Sequence, residues 1–342
     1  MSPARILAAS AAVLFVLPAG AHIKKERKPS AGVLRTAPVV KVLWRNPSDI
    51  ASRNLYYGPG GKRDRPHGRM TFIKEDLNDT NPKFDVRDED GVKWRVKLGF
   101  EARPETVASR LVWAAGYFAN EDYFVQDLQI ANMPQHLHRG QKLVSPDGWV
   151  HNVRLKRLPK DEKKIGSWSW AENPFTGTRE LNGLRVMMAL INNWDLTDWK
   201  TAIYEEKTTG AAVEQIYMVS DLGASFGTPR LTWPLKRTRG NLAMYRNSKL
   251  IAHEGPSFID FTNPSRASLY LLAQPREYRL RLRLDWIGKH IPRGDAKWIG
   301  GVLARLSPDQ IRDAFRAAGY SEDQIEAFTA ALESRISEIQ DL

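Results

Sequence analysis

The chain has 342 residues, enough for one large two-lobed domain or two small ones. It carries 51 Lys plus Arg against 39 Asp plus Glu, a formal charge of +12, which suits anionic partners without choosing among them. The absence of cysteine excludes disulfides, thiolate zinc sites, iron–sulfur clusters and cysteine nucleophiles, and 11 Trp, 10 Tyr and 12 Phe exclude a wholly disordered chain.

In chain order, residues 1–21 set Arg5 before an apolar run, Ile6 to Leu17, followed by Pro18, Ala19, Gly20 and Ala21. This layout predicts a secretory signal peptide cleaved after Ala21 and an exported chain, periplasmic or extracellular. The run is short of the ~20 apolar residues of a membrane span, and no later segment approaches that length. Residues 22–38 read as a loose basic arm. Val39 to Trp44 predicts a first strand, residues 57–69 a loop, and Met70 to Ile73 a short apolar strand. Phe84 and Val86 alternate with Asp85 and Arg87; after Asp88-Glu89-Asp90-Gly91, Val92, Trp94, Val96 and Leu98 alternate with Lys93, Arg95 and Lys97. That is a hairpin. Pro104 to Tyr117 predicts a helix with a first-turn proline and Gly116 as its C-cap. Tyr123-Phe124-Val125 reads as a strand, residues 142–158 as a hairpin about Ser145-Pro146-Asp147-Gly148, and 160–178 as loop. Leu181, Leu184, Met188 and Ile191 recur at helical spacing over Arg179 to Asn192. Ile203-Tyr204 and Ile216 to Val219 are short strands, and 223–265 is irregular. Ser307 with Gln310 and Ser321 with Gln324 form two capping boxes, with Gly319 ending the helix between them. Strands dominate early and helices late, so the fold class is α+β, in two lobes with a cleft.

Three segments carry polar residues suited to chemistry. The first joins Asn81-Pro82-Lys83, the strand lysine Lys97 and the helix acid Glu105. A strand lysine facing a cleft holds phosphates, and a helix acid keeps its ammonium in place; the other reading of Lys97 is a solvated strand residue. The second is Asn192-Asn193-Trp194-Asp195-Leu196-Thr197-Asp198, at a helix exit, where acids and amides serve either a rigid catalytic loop or plain capping. The third, Ser220-Asp221-Leu222-Gly223, puts an acid where a strand enters a glycine turn, a place for a Mg²⁺ ligand or a plain turn. His136 and His138 lack a third ligand for a metal site. Trp168 and Trp170 fit lobe packing or stacking of sugars or bases. Lys156, Arg157, Lys160, Lys163 and Lys164 read as a solvated basic face, and with no accompanying motif nucleic-acid binding is not expected. No Gly-x-Ser-x-Gly elbow supports a serine hydrolase.

Taken together and in this order, the segments resemble the atypical branch of the protein-kinase-like superfamily: HipA-like, phosphatidylinositol-kinase-like and secretory-pathway kinases. The resemblance spans about residues 78–227. It implies a two-lobed kinase-like fold, with an arm and linker over 22–65, a strand-rich lobe over 66–126, a helix-rich lobe over 127–294 and C-terminal helices over 295–342. Tyr117 to Gln126 would be the crossing between lobes. Asn81-Pro82-Lys83 then looks like the end of the phosphate-covering loop, Lys97 like the phosphate-holding lysine, and Glu105 like its partner, with Glu101 as the fallback. Asp195 looks like the catalytic-loop aspartate and Asp221 like the metal-binding aspartate. The implied cofactors are Mg²⁺ and ATP, and the implied partners a nucleotide and an unspecified phosphate acceptor.

The sequence departs from this pattern in two places, the first being the phosphate loop, where glycine-free Asn78-Asp79-Thr80 stands in place of the expected flexible turn. At the second, Lys200 stands where such kinases carry a second metal-binding Asn. Asp198 is the candidate substitute ligand. Two readings follow: an exported Mg²⁺–nucleotide phosphotransferase, and a kinase-shaped, inactive binding protein of the cell envelope.

Overall fold

The computed structural model describes residues 39–78, 81–160, 162–207, 213–227, 239–262 and 275–342. The expected signal peptide and basic arm, and Asp79-Thr80 of the expected phosphate loop, lie outside the described residues. From Pro38 to Leu342 the chain is one compact unit.

The strand-rich region is a closed five-stranded barrel. Its strands are β2 (Met70–Glu75), β3 (Lys83–Arg87), β4 (Lys93–Lys97), β5 (Asp122–Ala131) and β6 (Trp149–Leu158), in the order β2-β3-β4-β6-β5. A short parallel pairing, Met70 with Ile130 and Thr71 with Ala131, closes it. The β3–β4 hairpin is the one the alternation predicts. Asp88 fastens its turn by accepting from Val92 N at 2.8 Å and Trp94 Nε1 at 2.7 Å. Phe84, Val86, Trp94, Val96, Val153 and Leu155 point inward and make the barrel's own apolar core. The out-of-phase residues of the same strands share the outer face: Lys83 opposite Lys97, Asp85 opposite Arg95, and Lys97 opposite Arg154.

The barrel corrects the expected lobe boundaries. A border at 126 cuts β5 in two, yet β5 pairs with β6 along its length and β6 pairs with β4. The chain therefore leaves the barrel after Leu158, and Tyr117 to Gln126 is not the crossing. Of the hairpin expected over 142–158, the turn at Ser145-Pro146-Asp147-Gly148 is present, with an antiparallel bridge from Val144 to Val150, but its first arm is no strand: Gln141–Leu143 is a 3-10 turn, and β6 pairs along its length with β4 and β5. The 22–65 linker also shrinks, because β1 (Val39–Val42) runs parallel to β9 (Val213–Val219) in a second sheet, β1-β9-β8-β7. In that sheet β7 (Lys163–Gly166) lies within the expected loop, and β8 (Thr201–Lys207) pairs antiparallel with β9.

The helix α1 (Ala102–Ala114) lies against the outer side of β5 and β6. It starts two residues before Pro104, which the first turn tolerates because its N–H groups have no helical acceptor. The helix-rich region is built on α2 (Arg179–Leu190), whose N-cap Thr178 accepts from Leu181 N. The helix α3 (Leu242–Asn247) and a small sheet of β10 (Ile251–Glu254), β11 (Phe258–Phe261) and β12 (Ile291–Pro292) interrupt the stretch expected to be irregular. Then follow α4 (Pro275–Leu284), α5 (Arg293–Leu303), α6 (Pro308–Arg316) and α7 (Glu322–Gln340). Both capping boxes are formed. Ile311, Ala314, Phe315, Ile325 and Phe328 are buried as their helical spacing predicts. No helix among the described residues is long and apolar enough to cross a membrane.

Phe226 ties the C-terminal helices to the loop that carries Asp221. It is fully buried, and its ring meets Tyr245, Phe315 and Phe328 with centroids at 5.2, 5.5 and 5.9 Å. Its backbone sits at φ +53° and donates to Ile191 O at 2.7 Å. Replacing it, Phe226→Ala, is expected to cost about 3–5 kcal/mol in urea unfolding, the range for emptying a buried aromatic site. A loss below about 1 kcal/mol would remove this residue from the core.

Candidate functional site

The site is assembled around the ammonium of Lys97. Lys97 ends β4 on the outer face of the barrel, and only 4% of it is exposed. Its Nζ lies 2.6 Å from Glu101 Oε2, 2.9 Å from Glu105 Oε2 and 3.2 Å from Asp221 Oδ1. The salt bridge expected between Lys97 and Glu105 is present, and the fallback, Glu101, is a second partner. A lysine has three N–H donors, and here three carboxylates take them.

Each carboxylate is placed by its local structure. Glu105 lies in the first turn of α1, where the helix dipole favours an acid. Glu101 stands at the N-cap of α1 but makes no capping bond. Its carboxylate instead meets Lys97, accepts from Asn81 Nδ2 at 2.6 Å, and pairs with Arg239 at 2.7 Å. Asp221 leaves β9, and Gly223 N donates back to its Oδ1 at 3.2 Å. Gly223 is required here: a Cβ on it would lie 2.7 Å from Glu101 Oε2. Arg154 completes the cluster, bonding Glu105 at 3.2 Å and Asp122 at 2.6 Å.

Lys200 is the addition that the sequence left unplaced. Its Nζ donates to Asp221 Oδ2 at 2.7 Å, so each carboxylate oxygen of Asp221 is held by a different lysine. Burial resists the charge of Asp221, but Lys97 and Lys200 hold its carboxyl well below the usual range. Burial likewise opposes the charge on Lys97, and Asp221, Glu105 and Glu101 outweigh it and keep the ammonium protonated above the ordinary lysine value. Burial pushes Glu105 up, against the pull of Arg154 and Lys97.

The other expected residues divide. Lys83 sits directly across the ladder from Lys97, with Asp76 at 4.0 Å. Asp195 follows α2 in a loop anchored on both sides by buried Trp194 and Leu196. Its N–H donates to Asn193 Oδ1 at 3.1 Å, the amide contact that fixes the loop, and Thr197 Oγ1 lies 3.4 Å from its Oδ1. Asp198 is exposed and accepts from Trp170 N at 3.1 Å. Among the described residues, the acids gathered closely enough to share an ion are Glu101, Glu105 and Asp221, and Asp198 is outside that group. Oxygen donors suit a hard cation such as Mg²⁺. As arranged, however, the donor set is full: Lys97 occupies its centre and Lys200 takes the remaining oxygen of Asp221. The residues do not fit a divalent ion in this arrangement.

Three further sequence readings resolve simply. His136 and His138 lie in a loop, and His138 pairs with Glu75. Trp168 and Trp170 are buried with ring centroids 4.9 Å apart, and Trp168 Nε1 donates to Met218 O, so they pack the lobe. The basic face is only partly solvated. Lys163 and Lys164 are exposed, but Arg157 pairs with Asp64 and Glu121. Lys156 is half-buried, pointing into a cavity of about 260 Å³ lined also by Asn120, Tyr204, Ile216 and Met218.

Comparison with protein-family models finds no match, and comparison with curated proteins finds none. Among solved structures, the chain is similar to the proinflammatory kinase CtkA of Helicobacter pylori, at 12% identity over 81% of this chain and 96% of that one, with a TM-score of 0.44. It is also similar to the Golgi casein kinase, at 11% identity over 81% and 72% of the two chains, TM-score 0.35. A structure of the Golgi casein kinase with Mn/ADP bound matches at 11% identity over 79% and 74%, TM-score 0.29. These structural neighbours are kinases. At such scores the likeness carries no weight alone, and any functional reading has to stand on the geometry of the site.

Lys156 gives a pH test of the cavity. Burial pushes its ammonium down to about 8 from 10.5. Between those two values the unfolded chain binds more protons than the native one, so this group makes stability rise as pH climbs from about 8 to about 10. Lys156→Met is expected to stabilise the protein at pH 7 by about 1 kcal/mol, with the gain fading above pH 9. Urea titrations at both pH values check it, and a variant less stable at pH 7 would contradict the burial of that ammonium.

Proposed function

We propose that the chain is a kinase-like nucleotide-binding protein that grips the phosphates of ATP at Lys97. The observation that carries this reading is the meeting of a strand lysine, a helix glutamate and a strand-exit aspartate: Lys97 to Glu105 at 2.9 Å and to Asp221 at 3.2 Å. Phosphoryl transfer needs an ammonium fixed over the phosphates and an acid beside the attacking oxygen. Lys97 is that ammonium and Asp195 that acid, on its braced loop. Lys83, across the ladder from Lys97, is the second phosphate contact. To bind, a phosphate oxygen takes over one of the donors that Lys97 now spends on a carboxylate.

Isothermal calorimetry and thermal shift with ATP, in Mg²⁺ and separately in EDTA, test the binding. Nucleotide at 100 times its Kd adds about 2.7 kcal/mol of apparent stability. Lys97→Met is expected to weaken binding at least tenfold. No heat and no shift in either buffer ends the reading. For the transfer step, Asp195→Asn is expected to keep ATP binding and to lower label transfer from γ-labelled ATP by at least tenfold, because it removes the acceptor's base and keeps the shape. The contact of Lys200 with Asp221 favours a second reading, a nucleotide-binding protein without transfer; it is chosen if the wild type binds ATP and labels nothing.

Export is part of the proposal and rests on Arg5, the run Ile6 to Leu17 and Ala19-Gly20-Ala21. Intact-mass measurement of the protein from an envelope fraction is expected to show a chain beginning at His22. A full-length cytoplasmic product would refute it.

A further inference from the structure

The place in this site where a divalent ion would be expected is already filled by a side chain. Asp221 offers two carboxylate oxygens. Lys97 holds Oδ1 at 3.2 Å, and Lys200 holds Oδ2 at 2.7 Å. The second contact is built into the fold. Lys200 follows Asp198-Trp199 in a 3-10 turn whose N–H closes on Thr197 O. Its carbonyl accepts from Ser220 N at 2.8 Å, from Asp221 N at 3.2 Å and from Ser220 Oγ at 3.1 Å. One residue therefore pins the backbone of the Asp221 turn through its carbonyl and the Asp221 side chain through its ammonium. Only 12% of the Lys200 side chain is exposed.

A Mg²⁺ ion bound to Asp221 would sit ~2.1 Å from one of its oxygens. That would bring two positive charges within a few ångströms of two ammonium groups, in a setting with little water to screen them. The acids nearest to hand give no relief, since Glu101 and Glu105 are spent on Lys97, Arg239 and Arg154. The role of a metal at such a site is to neutralise phosphate oxygens and bridge them to the protein. An ammonium with three N–H donors can do both.

We propose that Lys200 stands in for the divalent ion at Asp221, so that this chain binds a nucleoside di- or triphosphate in its metal-free form. The proposal rests on the nucleotide reading above, and it differs from it in one measurable respect, the cation requirement.

The test is calorimetry of the full chain with ATP in EDTA and with ATP in excess MgCl₂, beside binding of Mn²⁺ alone followed by its electron paramagnetic resonance signal. For the wild type, the expected Kd for ATP in EDTA is equal to or lower than that in MgCl₂, and no Mn²⁺ is bound. For Lys200→Asn, ATP binding is expected to weaken at least tenfold in EDTA and to be restored by Mg²⁺, with Mn²⁺ now bound at Asp221. Wild-type binding that occurs with Mg²⁺ and is lost in EDTA overturns this inference and leaves the nucleotide reading standing. Absence of binding in both buffers overturns both. The wild-type arms decide the matter even if Lys200→Asn does not fold.

Discussion

The ammonium of Lys97 is the interaction on which the rest of the site depends. It comes from the barrel, two of its partners come from the entry to α1, and the third comes from the strand exit of the helix-rich region. Buried carboxylates at this spacing repel one another, so they coexist only because cations are threaded between them. Glu101, Glu105, Asp221 and Asp122 face Lys97, Lys200, Arg154 and Arg239, four charges against four. A balanced cluster tolerates burial; removing any one member leaves an uncompensated charge, which costs about 3–5 kcal/mol in such settings. Chemistry and stability are thus written in the same residues.

Part of this was legible in the sequence because it depends on short-range pattern. The alternation of β4 places Lys97 out of phase with Trp94, Val96 and Leu98, and the helix that follows supplies an acid within reach. The buried stripe of the C-terminal helices and their capping boxes are likewise local signals. What escaped was decided by long-range pairing. Nothing in 117–126 announces that β5 belongs to the barrel, since its partners are β6, far downstream, and β2, far upstream. Arg154 and Lys156 carried a usable signal, being out of phase with Val153 and Leu155, but a basic run is ordinarily solvated. They lie on the barrel's outer face and are covered there because Asp122 and a cavity wait beside them. The partnership of Lys200 with Asp221 spans a hairpin, and spacing alone marks it only as a missing Asn.

Several polar links among the described residues join the two regions at the site, among them Asn120 Nδ2 donating to Ser220 O at 2.8 Å. Lys97 with Asp221 and Glu101 with Arg239 join groups on opposite sides of the cleft. Lys200 with Asp221 and Lys97 with Glu105 each stay on one side.

The setting of Phe226 bears on how the Asp221 turn is held. Its ring is embedded among Tyr245, Phe315 and Phe328, and its backbone is tied to Ile191, five residues after Asp221. The acidic turn is therefore clamped at its downstream end to the floor of the helix-rich region, and at its upstream end to Lys200. Through Phe226, packing among the C-terminal helices thus helps to fix where the carboxylate of Asp221 stands.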